Sequence, residues 1–165
     1  MLKRFFPSLV IDSVADLPVE TLKRQGIRAL FFDIDNTLAP FDEAEPTEAI
    51  LQLLTQWRAM GFAICLLSNN NAPRVKRFNH ALGGIAVYRA GKPGTKKMRQ
   101  VMAHLHVTPQ QTALIGDQVF TDMYCANRAG VLAILCRPIC NRDQLVTKVK
   151  RGAEAWVLRR YERSR

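Results

Sequence analysis

No apolar run in this 165-residue chain reaches the ~18–20 residues that a helical membrane span needs, the longest candidate being the short stretch Phe62–Leu67. The chain is therefore not expected to cross a bilayer. It opens Met1-Leu-Lys-Arg-Phe-Phe, in the manner of a secretory leader, but Pro7, Ser8 and Asp12 interrupt any apolar region of adequate length. Cysteine is also scarce, and Cys65, Cys125, Cys136 and Cys140 form no Cys-x-x-Cys pair. This usage fits reduced thiols in a cytoplasmic protein and argues against a disulfide framework. A zinc site built from Cys136, Cys140, His104 and His106 lacks the required ligand spacing. Acidic residues are the remaining shortage: 14 against 24 lysines and arginines leave a formal charge of +10. The resulting positive field attracts phosphates, nucleic acid or acidic lipid. It is uneven, because Lys148, Lys150, Arg151, Arg159, Arg160, Arg163 and Arg165 load the C-terminus and Lys3 and Arg4 the N-terminus. A solvated basic face with no partner is the alternative reading.

With 48% hydrophobic residues and no low-complexity tract or repeat, the composition is that of a folded protein. A chain of this length buries about 68–70% of its unfolded surface, which suits one core. The expectation is a single domain over residues 1–165, with an amphipathic N-terminal flank (1–26) and a basic C-terminal flank (141–165). Five short runs rich in β-branched and aromatic residues read as strands buried on both faces: 28–34, 62–67, 85–88, 112–115 and 131–135. Between them Ile50, Leu53, Leu54 and Trp57 follow the helical period, as do Val75, Phe78 and Leu82, then Met98, Val101, Met102 and Leu105. Gly61, Gly83 and Gly130 stand where these helices should stop. Alternating strands and helices of this length predict an α/β three-layer sandwich with a five-stranded parallel sheet.

Ligands of such sheets bind beyond the carboxyl ends of the strands, and there the sequence turns polar. Asp33-Ile-Asp35-Asn-Thr37 follows the first run, with two carboxylates two residues apart and so on one side of an extended chain. Ser68-Asn69-Asn70-Asn71 follows the second and opens a helix, offering hydroxyl and amide donors to phosphate. Lys92 follows the third, where it can neutralise both a carboxylate and a transferring phosphoryl group. Gly116-Asp117 to Asp122 follows the fourth and adds two carboxylates. Each alone reads equally well as a turn, a helix cap or solvated surface. Together they supply the nucleophile, acid/base partner, cationic clamp and metal ligands that phosphoryl transfer requires.

In that order the four segments resemble the motifs of the haloacid-dehalogenase-like (HAD) superfamily, over nearly the whole chain. The phrases FFDIDNTLAPFDE, LLSNNN, AGKP and GDQVFTDMYCANRAG are similar to the subfamily IIIA phosphatases of the YqeG type and to mitochondrial phosphatidylglycerophosphate phosphatases. The resemblance implies a HAD-like Rossmannoid core. It also implies that Asp33 attacks phosphorus, that Asp35 protonates the leaving alkoxide and later activates water, and that Ser68, Lys92 and secondarily Asn69 hold the phosphoryl oxygens. Mg2+ would be held by Asp33, the Asp35 backbone carbonyl and Asp117, with Thr37 supporting and Asp122 orienting Lys92 or a nearby water.

The intervals between the motifs leave room for one connecting helix each, so no cap domain is expected over the site. An open site suits a bulky substrate or a surface. The leading expectation is a phosphatase of phosphatidylglycerophosphate in peripheral contact with an anionic membrane. In the tail, Leu145, Val149, Ala153, Trp156 and Val157 form an apolar stripe that either packs on the sheet or lies on lipid, and Phe5 and Phe6 are the candidates for insertion. The alternatives are a phosphatase of a nucleic-acid 3′-phosphate or soluble phosphometabolite, and a non-catalytic anion-binding module. No nucleic-acid module or interleaved aromatic platform is present, so nucleic acid is not an expected partner. The oligomeric state is not legible.

Overall fold

The computed structural model describes residues 2–140 and 145–163, with side chains in the second stretch from residue 152 onward. Four of the apolar runs become the strands β2 (Ala29–Phe32), β3 (Ala63–Leu67), β5 (Thr112–Gly116) and β6 (Leu132–Cys136), each almost wholly buried. The remaining run, β4 (Ile85–Val87), is only half-buried because it forms one edge of the sheet. The expected five strands become six. The addition is β1 (Leu9–Ile11), which lies parallel to β6 with Leu9 opposite Ile134 and Ile11 opposite Cys136. Three residues between Ser8 and Asp12 are too few to show a period, and it is pairing to β6 that makes them a strand.

All neighbours are parallel, in the order β1-β6-β5-β2-β3-β4. Among the described residues six α-helices connect or flank them: α1 (Val19–Arg24), α2 (Glu48–Ala59), α3 (Ala72–Leu82), α4 (Lys96–His104), α5 (Tyr124–Ala129) and α6 (Leu145–Glu162). Strand alternation divides the core. Leu30, Phe32, Ile64, Leu66 and Ile115 face one layer with Trp57 and Phe78, while Phe31, Cys65, Leu67 and Leu114 face the other with Met98, Met102 and Met123. Local chemistry sets the helix ends. The Thr47 hydroxyl accepts from Ile50 N–H and the Asn71 amide from Arg74 N–H, whereas α3 and α5 stop at Gly83 (φ 57°) and Gly130 (φ 77°), which take the left-handed conformation. Chain order reverses between β2 and β5, so the loops leaving these neighbours diverge and open a crevice at their carboxyl ends. Only α2 lies between the first two polar motifs, consistent with an uncapped site.

Both flanks pack onto this body. Phe5 contacts Phe120 and Tyr124 at ring separations of 5.4 and 4.7 Å, and Phe6 contacts Tyr161 at 5.5 Å. These two phenylalanines are therefore engaged in packing, which corrects their expected role in membrane insertion. In the tail, the side chains of residues 145 and 149 lie outside the described set. Of the rest of the expected stripe only Val157 is buried, while Ala153 and Trp156 are exposed. The face turned inward is Glu154, Val157, Leu158 and Tyr161, a helical stripe displaced by part of a turn. Among the described residues no helix is long and apolar enough to cross a membrane.

Because Val14 and Leu17 join the same core as Phe32 and Ile115, the segment behind β1 should bear load in folding. Leu17→Ala is expected to cost about 2–5 kcal/mol in urea denaturation, as buried leucine truncations do.

Candidate active site

Asp33 directly follows β2, and its N–H donates to the Ile115 carbonyl at 2.9 Å, so the sheet ladder itself fixes its Cα. The chain then coils tightly: the Ile34 carbonyl accepts from the N–H groups of Thr37, Leu38 and Ala39, and Asn36 takes a positive φ of 62°. Asparagine tolerates that region better than most residues. After β3, Ser68 is buried, and its Oγ accepts from Asn70 N–H at 3.1 Å, which leaves the hydroxyl proton free to donate into the site. After β5, Gly116 has no substitute. A Cβ there would lie 2.4 Å from the Asp122 carboxyl carbon, so the missing side chain is what lets Asp122 fold back under the turn.

Lys92 is the centre of the arrangement. Its Nζ lies 2.7 Å from Asp33 Oδ1 and 2.6 Å from Asp122 Oδ1, and the ammonium is almost completely enclosed. Burial works against its charge, but Asp122 and then Asp33 outweigh burial and push its pKa up. Asn69 holds the lysine's backbone from both sides. Its Oδ1 accepts from Lys92 N–H at 2.8 Å and its Nδ2 donates to the Lys92 carbonyl at 2.9 Å. The Asn69 side chain, expected to reach phosphate, thus also positions Lys92, and it lines the same cavity. Asp33, Asp35, Ser68, Asn69, Lys92 and Asp122 line one cavity of about 200 Å³, with Asn70, Gln118 and Thr121 completing the wall. Asp117 lies at its side, facing a larger hollow of about 700 Å³ between α6 and the ends of β1 and β6. Thr37 is buried beneath the first loop.

Asp33, Asp117 and Asp122 each present an oxygen within 4.8 Å of the others. Burial pushes the Asp33 carboxyl up to about 7, with Lys92 opposing and Asp122 reinforcing. Burial also raises Asp117, to about 9, aided by the charges of Asp33 and Asp122. Three carboxylates against one ammonium leave two negative charges when all are ionised, and Asp117 Oδ1 is buried without a hydrogen-bond donor. An enclosed, donor-free carboxylate oxygen in a cluster two charges short is what a divalent cation requires, so the residues fit one.

Three features had no sequence signal. Arg74 on α3 clasps Asp35, its Nε and Nη2 lying 3.2 and 3.1 Å from Oδ1. Asn70 donates to Asp35 Oδ2 at 3.1 Å. Glu154, on the tail helix, accepts from Val119 N–H at 3.0 Å and Phe120 N–H at 3.4 Å, capping the π-helical turn Val119–Met123 that carries Asp122.

Comparison with known proteins agrees with this geometry. Residues 2–140 match the family described as mitochondrial PGP phosphatase. The chain is 31% identical over 159 residues to the probable phosphatase YqeG of Bacillus subtilis, covering 96% of this chain and 92% of that one. It is 28% identical to the chloroplastic and mitochondrial phosphatidylglycerophosphate phosphatase 1 of Arabidopsis thaliana, covering 95% of this chain but only 48% of that longer protein. The crystal structure of a HAD phosphatase from Thermococcus onnurineus shares the fold, with a TM-score of 0.57, 14% identity, and 72% and 89% of the two chains covered.

The raised carboxyls fix the sign of a pH dependence. Asp33 and Asp117 hold protons more tightly folded than unfolded, so in metal-free protein their contribution to stability falls as pH rises from the ordinary carboxylate range through about 7 and 9. A bound cation replaces those protons and relieves the loss. A divalent cation at a hundredfold over its pH 8 Kd should raise Tm by roughly 5–10 °C at pH 8, and the same concentration should raise it by less at pH 6, where protons compete for the carboxylates. Asp117→Asn should abolish the difference in differential scanning fluorimetry.

Proposed function

The chain belongs to the mitochondrial PGP phosphatase family and is a HAD-type phosphatase, and on that premise we propose that it hydrolyses phosphatidylglycerophosphate to phosphatidylglycerol through an aspartyl-phosphate on Asp33. The observation that carries the chemistry is the Lys92 ammonium held at 2.7 Å from Asp33, beside Ser68 and Asp35 in one cavity. Asp33 Oδ attacks phosphorus while the bond to the leaving oxygen breaks, and Asp35 gives that oxygen a proton. Asp35, now ionised, takes a proton from water as the water attacks the aspartyl-phosphate. Inorganic phosphate leaves and the Asp33 carboxylate is restored. Lys92 and the Ser68 hydroxyl bind the phosphoryl oxygens in both steps. Asp33, Asp117 and the Asp35 carbonyl would hold Mg2+, which when bound neutralises charge on the phosphoryl group. Asp122 keeps Lys92 in place.

The lipid assignment is supported by the relatives' activity, by the absence of a cap and by the rim of the site. Phe41, in the loop after the first motif, is 42% exposed, and Ile139, whose N–H donates to the Asn36 carbonyl, is 49% exposed. Apolar side chains beside an uncapped phosphate site in a cationic protein suit an anionic bilayer surface, and peripheral contact at the inner face of the membrane follows from that reading.

Three experiments test it. Asp33→Asn should lower turnover on the order of 10⁴-fold or more while preserving the fold, and acid-quenched wild-type protein should carry phosphate on Asp33. An unchanged rate of phosphate release removes Asp33 from the mechanism. Across a panel of lipid, sugar, nucleotide and 3′-phosphorylated oligonucleotide substrates, the lipid should be turned over fastest; faster turnover of the oligonucleotide reassigns the substrate. Phe41→Ser should reduce turnover in anionic vesicles on the order of tenfold and leave that of soluble glycerol 3-phosphate unchanged.

A further inference from the structure

We infer that Arg74 is a positioning residue that selects which oxygen of Asp35 carries the catalytic proton. The inference rests on the reading of Asp35 as the acid and base. A carboxylate offers about four acceptor positions, two on each oxygen. Arg74 Nε and Nη2 both donate to Oδ1, at 3.2 and 3.1 Å, and so fill it. Oδ2 receives one donor, Asn70 Nδ2 at 3.1 Å. The orientation of that amide is fixed independently, because its Oδ1 accepts from Asn71 N–H at 2.7 Å. One position on Oδ2 remains, and there the proton is given to the leaving alkoxide and later taken from water.

Arg74 is itself held. Its N–H donates to the Asn71 side chain at 3.0 Å, its guanidinium lies 5.4 Å from the Phe78 ring centre, and Nη2 is within 3.4 Å of the Pro40 carbonyl. The ion pair is mostly shielded, with side-chain exposures of 11% for Arg74 and 21% for Asp35. A planar fork in fixed surroundings sets the direction of a carboxylate as a flexible ammonium does not. Nη1 is buried without a hydrogen-bond partner among the described residues, so a direct role in gripping substrate is the competing outcome.

Leaving-group chemistry separates these roles. An alkoxide needs a proton as it departs, whereas p-nitrophenolate does not, and kcat/KM reports only the steps up to that departure. For Asp35→Asn the ratio of kcat/KM on p-nitrophenyl phosphate to that on glycerol 3-phosphate should rise on the order of 100-fold. For Arg74→Met the same ratio should rise about tenfold, mostly through kcat on the alkyl substrate, with Arg74→Lys intermediate. An unchanged ratio in Arg74→Met alongside a raised one in Asp35→Asn overturns the positioning role and leaves the acid/base reading intact. Equal loss on both substrates, carried by KM, assigns Arg74 to phosphate binding instead. An unchanged ratio in Asp35→Asn sinks both. If Arg74→Met does not fold, Arg74→Lys decides by the same ratio.

Discussion

One buried ammonium organises the acidic loops of this protein. Lys92 sits at ion-pair distance from Asp33 at the end of β2 and from Asp122 beyond β5, two strands adjacent in the sheet but separated by about half of the chain in sequence. Removing one partner of such a pair typically costs about 3–5 kcal/mol, because the other charge is left in a poor dielectric. Lys92 cannot balance the cluster alone, since Asp33 and Asp117 both keep carboxyls raised far above their ordinary range. The protein therefore combines a fixed cation with an acceptor set still lacking positive charge, and it is that shortfall which makes the pocket receptive to a metal and to the chemistry of a transferring phosphoryl group.

The run Asn69-Asn70-Asn71 shows how closely the surrounding structure is divided. Three identical side chains do three jobs: the first brackets the backbone of Lys92, the second donates to Asp35 while its N–H directs the Ser68 hydroxyl, and the third caps α3. The cap orients α3, and α3 carries Arg74 back toward Asp35. Lys92 and Asp35 are thereby each held by an asparagine from the end of β3, a strand end other than their own, so the site behaves as one hydrogen-bonded unit.

The parts of this design legible in the sequence are those with a local signal. Strands β2, β3, β5 and β6 announce themselves as apolar runs, and the polar residues that follow are read directly from their place at the strand ends. What was illegible depends on distant partners. Strand β1 is three residues long and exists through its pairing with β6. Arg74 stands in a helix with Lys76 and Arg77 close by, and nothing local distinguishes it, because Asp35 is 39 positions away. Phe5 and Phe6 beside Lys3 and Arg4 have the pattern of a membrane-inserting end, yet Phe120, Tyr124 and Tyr161 cover them. The tail stripe was misplaced by part of a turn for a related reason. Glu154 is the inward-facing charge that an apolar count overlooks, and it is buried because two backbone N–H groups of the π-helical turn wait for it.

That last contact orders events during synthesis. The turn bearing Asp122 is completed by a residue 35 positions after Val119. At about 5–20 residues per second, a ribosome adds that residue roughly 2–7 s after Val119. The N–H groups of Val119 and Phe120 therefore lack this acceptor until the final helix has been made and has folded back, so the bracing of the turn is among the last contacts the chain can form.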